Sequence, residues 1–451
     1  MMLFSRSSAP LCRRLVSQHQ QASSPRRRLS SLTIPFNPAT STKSQIASLI
    51  TDALTASPPP AHHNAAVLLA SPSLAPWLQD EAFLASLLTP LRPTSNLSLL
   101  AAAVDAIPHL TPAGTYTTTP GLSLLHGPRA TLWTFPPTPT PDQQAASLEF
   151  HLPPLPSDPL ARPLRVTLPA ALTVFANGRP HTVLTSRWDT SSSTTSPHRL
   201  VDVAATSHAV IRPGPAASSR IVLPLVPLTP ARRVVAGLGN ILRQVEVDGR
   251  ATPASKELEE AIPRLLAGRG GERRVVGVWA VVYPARAGPA AASGDVEGVL
   301  ARGGHVRKVL SGGGGWGAKQ GLLSLDPQTR YAAAGEEDVE SFIRSFHGEE
   351  AGGGVVAPGS WVQFMVEEVE VGGTDGLRPS MILGTHVAVE SDGSSADAGT
   401  KVEVLENIFG ASSSQGIYVA TEAVGQAGDG EIVTKIDAAR SYVGSISGPV
   451  E

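Results

Sequence analysis

Cysteine is nearly missing from this chain: Cys12 is the only one in 451 residues. If it leaves with an N-terminal leader, the mature chain has no disulfide, thiolate nucleophile, zinc ribbon or cysteine-held iron–sulfur cluster. Long apolar runs are also missing. No segment approaches the ~20 apolar residues of a membrane helix, so a soluble protein is expected. Aromatic residues make up only 5%, which leaves a core of Leu, Val, Ala and Ile. Lysine is scarce beside arginine, which suggests a GC-rich genome and says nothing of function. What is abundant is glycine, at 42, and proline, at 40, the composition of a chain with long loops.

Acid is absent from the first 51 residues, where Arg6, Arg13, Arg14, Arg26, Arg27, Arg28 and Lys43 carry positive charge and Asp52 is the first carboxylate. The remainder holds 29 basic and 38 acidic residues. An Arg- and Ser-rich, acid-free N-terminus has the composition of a mitochondrial presequence. On a helical wheel Phe4, Leu11 and Leu15 share one face, with Arg6 and Arg13 roughly opposite. Such a helix offers an apolar stripe to the import machinery, and its charge responds to the membrane potential. Pro10 interrupts a rigid helix, so the helix is expected to form on binding. Arg26-Arg27-Arg28-Leu29-Ser30-Ser31 reads as a processing site, with residues 1–31 as the leader and the mature start near Ser30. A secretory signal would need 7–15 unbroken apolar residues, and none occur here. The other reading of this stretch is a basic tail that binds nothing. The acidic mature chain argues against bulk nonspecific DNA binding, while a local basic patch stays open.

Two lobes are expected, over 42–190 and 220–451, divided near 190–220 around the polar Ser191–Pro197 run. Ser44–Leu54 has helical spacing, AAVLLA at Ala65–Ala70 reads as a buried strand, and Pro76–Leu91 as a helix. Strands are predicted at Leu97–Val104, Leu122–Leu125, Ala130–Phe135 and Leu148–Leu152. Arg165–Ser186, with Asn177-Gly178, reads as a hairpin. Thr229-Pro230 and Thr252-Pro253 read as helix starts, the first leading a helix through Val247 and the second a helix that Pro263 ends or kinks. Val275–Tyr283, Trp361–Val371, Met381–Val389 and Gln415–Thr421 read as strands, and Gly335–His347 as a helix. Helices interspersed with hairpin-linked strands favour an α+β fold of mixed and antiparallel sheets with packed helices over a doubly wound one.

The most unusual stretch is Arg307–Asp326, RKVLSGGGGWGAKQGLLSLD, with its glycine-rich part at 311–317. Glycines let a backbone approach an anion and expose successive N–H groups. The candidate ligand-binding set is Gly312, Gly313, Gly314, Gly315, Trp316 and Lys319, with Arg307 and Lys308 adding charge. Trp316 offers a ring for stacking. The competing reading is a hinged hairpin or loop whose Trp316 packs on the core. The lysine is displaced from the Walker spacing and no Ser/Thr follows it. Gly237-Leu238-Gly239-Asn240 lacks the third glycine of a dinucleotide fingerprint. Gly121–Leu125 fails the GxSxG pattern at its last place. The twelve histidines show neither HxH nor HExxH spacing. The acidic pairs Glu336-Glu337, Glu349-Glu350 and Glu367-Glu368 read as solvated faces or helix starts. Spacing therefore assigns no catalytic residue, metal or cofactor, while a site assembled from distant segments stays open.

The blocks AAVLLASPSL, LLAAAVDAIPH and GLSLLHG, within Ser44–Phe135, resemble the N-terminal part of FIST (F-box and intracellular signal transduction) domains. The later blocks TLPAALTVFANGRPHTVL, PLTPARRVVAGLGNILRQ and VLSGGGGWGAKQGLLSLDP are similar to filamentous-fungal proteins and imply no activity. The FIST resemblance implies a two-part α/β sensory module for small ligands, and it transfers no catalytic residue. The expectation is a noncatalytic mitochondrial matrix protein, a ligand-binding or scaffold module whose glycine-rich loop closes over a small anionic ligand. Two alternatives stand beside it: an accessory factor for mitochondrial RNA, with Trp316 stacking and Arg307, Lys308 and Lys319 on phosphate, and an enzyme with a spatially assembled site.

Overall fold

The first strand, β1 (Ser31–Pro35), starts eleven residues before the expected globular start at Thr42, and Leu32 and Ile34 are fully buried. Ser31 thus lies in the sheet, at the boundary of the expected leader. The computed structural model describes residues 30–91, 93, 96–135, 146–158, 160–190, 198–214, 216–268, 277–285, 296–312, 321–328, 331, 356–368, 379–387, 402–422 and 431–446. Among these, 47% lie in strands and 19% in helices, a mixed α+β fold dominated by sheet. No described helix is long and apolar enough to cross a membrane.

After β1 come α1 (Lys43–Ala56), β2 (Ala65–Ala70), a 3-10 helix (Pro72–Gln79), α2 (Glu81–Leu88), β3 (Leu97–Ala103), β4 (Ile107–Leu110), β5 (Tyr116–Thr119) and β6 (Gly121–Gly127). The Thr42 hydroxyl accepts from the Gln45 N–H and starts α1, as its spacing predicts. The helix expected over Pro76–Leu91 is split. Pro76 sits in the 3-10 turn, and the Asp80 carboxylate caps a fresh helix by accepting from the Phe83 N–H.

The chain continues through α3 (Arg129–Leu132), β7 (Trp133–Thr134), β8 (Ser147–Leu152), β9 (Leu164–Pro169), α4 (Val174–Asn177), β10 (Val183–Asp189), β11 (Arg199–Ala205) and β12 (His208–Ile211). The strand predicted at Ala130–Phe135 is thus a helical turn followed by a two-residue edge strand. The hairpin predicted over Arg165–Ser186 does not form: β9 pairs β8 and a C-terminal strand, while β10 pairs β3 and β11 in another sheet. Asn177-Gly178 closes α4 instead, with Gly178 at φ 76°. Positive φ serves a helix C-cap as well as a hairpin, so the signal was ambiguous.

Beyond these lie β13 (Ser218–Val222), β14 (Leu225–Pro227), β15 (Arg232–Leu238), β16 (Ile241–Val247), β17 (Arg250–Pro253), α5 (Ala254–Gly268), β18 (Val278–Tyr283), α6 (Val296–Ala301), β19 (His305–Gly312) and β20 (Leu323–Leu325). The last strands are β21 (Trp361–Glu367), β22 (Met381–Thr385), β23 (Leu405–Glu406), β24 (Phe409–Ser413), β25 (Ile417–Glu422), β26 (Glu431–Ile436) and β27 (Tyr442–Ile446). The helix predicted through Val234–Val247 is the β15–β16 hairpin, turning at Gly239 with φ 58°. A Cβ at Gly237 would lie 2.6 Å from the Val356 carbonyl oxygen, which gives that glycine a packing reason. Val235 and Leu238, counted toward an apolar helix face, are 39% and 47% exposed. The helix from Ala254 forms, with Pro263 inside it. The expected Gly335–His347 helix lies outside the described residues, as does nearly all of the 284–293, 372–379 and 391–400 loops.

Three layers build the body. A seven-stranded sheet runs β11-β10-β3-β2-β6-β1-β23. Its outer face packs Leu32, Leu68 and Leu99 on Ile46, Ile50 and Leu84 of the helices. Its inner face packs Val67, Leu69 and Leu100 on a six-stranded sheet, β26-β25-β9-β8-β12-β7, and a four-stranded one, β13-β27-β22-β24. Because β2 is covered on both faces, all six of its residues are buried and its sequence reads as a continuous apolar run.

Strands β21-β15-β16-β20-β19-β18 close on themselves through the β18–β21 pairing, an all-antiparallel six-stranded barrel. Val278, Ala280 and Val282 of β18 face the barrel interior with Phe364, while Trp279, Val281 and Tyr283 face the core of the body. One strand thus serves two cores, which explains the unbroken VWAVVY run.

The expected divide near 190–220 does not separate the sheets. Strands β23, β25 and β26 return to the sheets built from residues 31–211.

Candidate functional site

Strands β19 and β20, which flank the glycine-rich stretch in sequence, pair antiparallel in the barrel wall. Gly312 ends β19 opposite Leu323, and a Cβ there would sit 2.1 Å from Leu323 Cδ2. A side chain there would make Leu323 shift. Gly313, Gly314, Gly315, Trp316 and Lys319 lie outside the described residues.

Arg307 is not a surface cation. It is 1% exposed, and its guanidinium donates to the backbone carbonyls of Asp326, Gln328 and Val433. A guanidinium enclosed in this way is closed to a phosphate, so the structure withdraws Arg307 from the predicted binding set. Burial lowers it to about 10, still a cation at neutral pH. Lys308 is half-buried, with Nζ 5.6 Å from the ring centre of Trp279.

Around Arg307 the barrel is joined to the body. Lys435 of β26 donates to the Asp326 carboxylate at 3.0 Å and to Gln328 Oε1 at 2.7 Å. The Tyr418 hydroxyl of β25 donates to Gln328 Oε1 at 3.3 Å, and burial pushes its ionisation well up. Thr434 Oγ1 accepts from the Val306 N–H at 2.9 Å and donates to the Val306 carbonyl at 3.0 Å. Burial and the Arg307 charge hold His305 down at about 3, so it is neutral at physiological pH. Arg307, Lys435, Tyr418 and Thr434 each bond across the joint, so the cluster works as a fastening.

On the outside of the barrel wall, β15, β16 and β21 border a cleft of about 380 Å³ lined by Ala231, Arg233, Glu246, Asp248, Gly249, Ala285, Gly359 and Trp361. Arg233 and Trp361 are register partners, so their side chains emerge on the same face. Trp361 is partly buried and packs against the large core, while Arg233 is exposed. One cation, two carboxylates and an indole thus share a concave surface. Arg233 and Trp361 sit in segments read from the sequence as helix and strand, and no spacing pattern pairs them.

A second polar group lies on the outer face of the six-stranded sheet. Ser147, Glu149 and His151 alternate along β8, and parallel pairing sets His208 of β12 beside Ser147. Ser147 Oγ and His208 Nδ1 are 2.9 Å apart, His208 Nε2 is 4.0 Å from Glu149 Oε2, and His151 Nε2 is 2.5 Å from Glu149 Oε1. Desolvation lowers His208 and the Glu149 charge opposes this, so the imidazole is neutral at pH 7. A period-two alternation of S-x-E-x-H was visible in the sequence, but His208, about sixty residues away, was not. Among the described residues no group of three His, Cys, Asp or Glu side chains is arranged to hold a metal ion.

Comparisons with protein-family models, with curated proteins and with solved structures find no match to this chain.

Proposed function

We propose that the chain is a FIST-like module that binds a small anionic ligand in the mitochondrial matrix. The observation that carries the binding reading is the cleft of about 380 Å³ on the barrel wall, within the size range of small-molecule sites. Arg233 supplies a fork for a carboxylate or phosphate. Trp361 supplies a flat apolar surface, and Glu246 and Asp248 restrict the anion to the Arg233 side or accept a donor on the same ligand. The expected result is a raised melting temperature with at least one of inorganic phosphate, short-chain carboxylates and nucleoside monophosphates. Saturation at 100 times Kd corresponds to about 2.7 kcal/mol. The shift should vanish in Arg233→Ala and shrink in Trp361→Ala. Loss in Lys319→Ala as well would assign the glycine-rich segment to the same site. No shift with any of these anions, or an equal shift in Arg233→Ala, overturns the reading.

The matrix reading is supported by the acid-free basic stretch and by the start of β1 at Ser31, directly after the expected cut. Cleavage near Ser30 leaves Leu32 and Ile34 in the sheet, so import and folding are compatible. N-terminal sequencing of the protein from isolated mitochondria should give a start within a few residues of Ser30. A cytosolic pool beginning at Met1 would refute it.

A further inference from the structure

We propose that Ser147 is an activated nucleophile, with His208 as its general base, for acyl transfer from small activated esters. This site lies on β8 and β12, distinct from the residues lining the barrel cleft, and the two readings stand or fall separately.

The geometry has the parts that a hydroxyl nucleophile needs. A serine hydroxyl is a weak nucleophile until a base within hydrogen-bond reach removes its proton. His208 Nδ1, at 2.9 Å from Ser147 Oγ, is within that reach. For Nδ1 to accept, the imidazole proton must sit on Nε2, and that nitrogen faces the Glu149 carboxylate at 4.0 Å. That separation is too long for a hydrogen bond, so Glu149 acts through its charge alone, which favours a proton on the facing nitrogen and stabilises the imidazolium that forms. His151 holds the other carboxylate oxygen at 2.5 Å and fixes its orientation. The rigid scaffold matters: three of the four residues lie on one strand, and the fourth is locked to it by parallel pairing. Ser147 is only 7% exposed, which restricts the substrate to a small acyl group. The side chains of His208 and Glu149 are each 20% exposed and that of His151 30%, so the face opens to solvent.

The step balances without a cofactor. Ser147 Oγ attacks the ester carbonyl carbon, a new C–O bond forms, and the hydroxyl proton passes to His208 Nδ1. The bond to the leaving alcohol breaks and that oxygen takes the proton from His208. Water then gives a proton to His208 and adds to the acyl carbon; the bond from that carbon to Ser147 Oγ breaks, Oγ takes the proton back from His208, and the carboxylic acid leaves.

The purified chain is treated with a fluorophosphonate probe and, separately, with 4-nitrophenyl acetate, with melting temperature followed for every variant. The expected result is a single labelled peptide containing Ser147, no label in Ser147→Ala, and labelling and acetate release lowered about 100-fold in His208→Gln. Glu149 acts as a positioning residue, so Glu149→Gln should slow labelling and Glu149→Asp should recover part of it at an unchanged melting temperature. Ser147→Ala removes one buried hydroxyl, whose partner His208 keeps a side chain 20% exposed to water, and is expected to fold. Labelling at another residue, no labelling at all, or wild-type acetate release in a folded Ser147→Ala protein overturns the proposal.

Discussion

A fragment ending at residue 216 is expected to show no cooperative melting when produced alone. The sequence suggested a first lobe over 42–190 and a divide near 190–220, but the six-stranded sheet would lose β25 and β26, its pairings beyond β9. Phe409, Ile417, Val419, Ile436 and Val443, all 2% exposed or less, pack in the same core as Leu148, Phe150 and Val166. The rings of Phe409 and Phe150 lie 6.5 Å apart. Each such side chain contributes about 1.5–3 kcal/mol by burial, and a whole domain has a net stability of only about 5–15 kcal/mol. Losing these five, with the backbone pairing of β9, is a loss as large as that margin. Circular dichroism and amide exchange on the fragment, beside the chain from Ser30 to Glu451, read the result. A sharp thermal transition with protected amides in β8 and β9 would refute the shared core.

Arg307→Met is expected to cost about 3 kcal/mol, since a hydrogen bond from a charged donor is worth about 1.5–3 kcal/mol. The substitution retains much of the aliphatic volume but leaves the carbonyls of Asp326, Gln328 and Val433 without this donor at the barrel–body joint. Each buried acceptor left unsatisfied costs about 1–3 kcal/mol. Lys308→Met, one residue along the strand, removes only the Trp279 contact and should cost no more than about 1 kcal/mol. Urea unfolding of the two variants beside wild type separates a structural arginine from a surface one. Equal, small losses in both would show that Arg307 does not fasten the joint.

Where burial is two-sided or a cap is local, the sequence was sufficient. AAVLLA, a short apolar run between turn residues, reads as the covered strand it is, and the spacing of Ile46, Ile50 and Leu54 placed α1 correctly. It misled where a local signal fits two structures. Val234, Leu238, Ile241 and Val245 recur at helical intervals, yet Gly237 and Gly239 let the chain reverse, and the pairing of β15 with β21 favours the strand. Asn177-Gly178 is as good a helix stop as a hairpin turn. At the candidate sites, individual residues were visible but their neighbours were not. Arg307 looked like a phosphate ligand because nothing nearby in sequence shows that Val433 and Gln328 enclose it.

By itself, the sequence determined the uneven charge at the N-terminus, a cysteine-poor chain, several buried strands and the mixed α+β class. Only the tertiary structure decided that the last strands complete the first sheets, that six strands close into a barrel, and that Ser147 meets His208 while Arg233 stands beside Trp361. The physical reason is range. Helical periodicity and capping are energies between residues a few positions apart, whereas strand pairing and side-chain convergence are set by which distant surfaces bury each other.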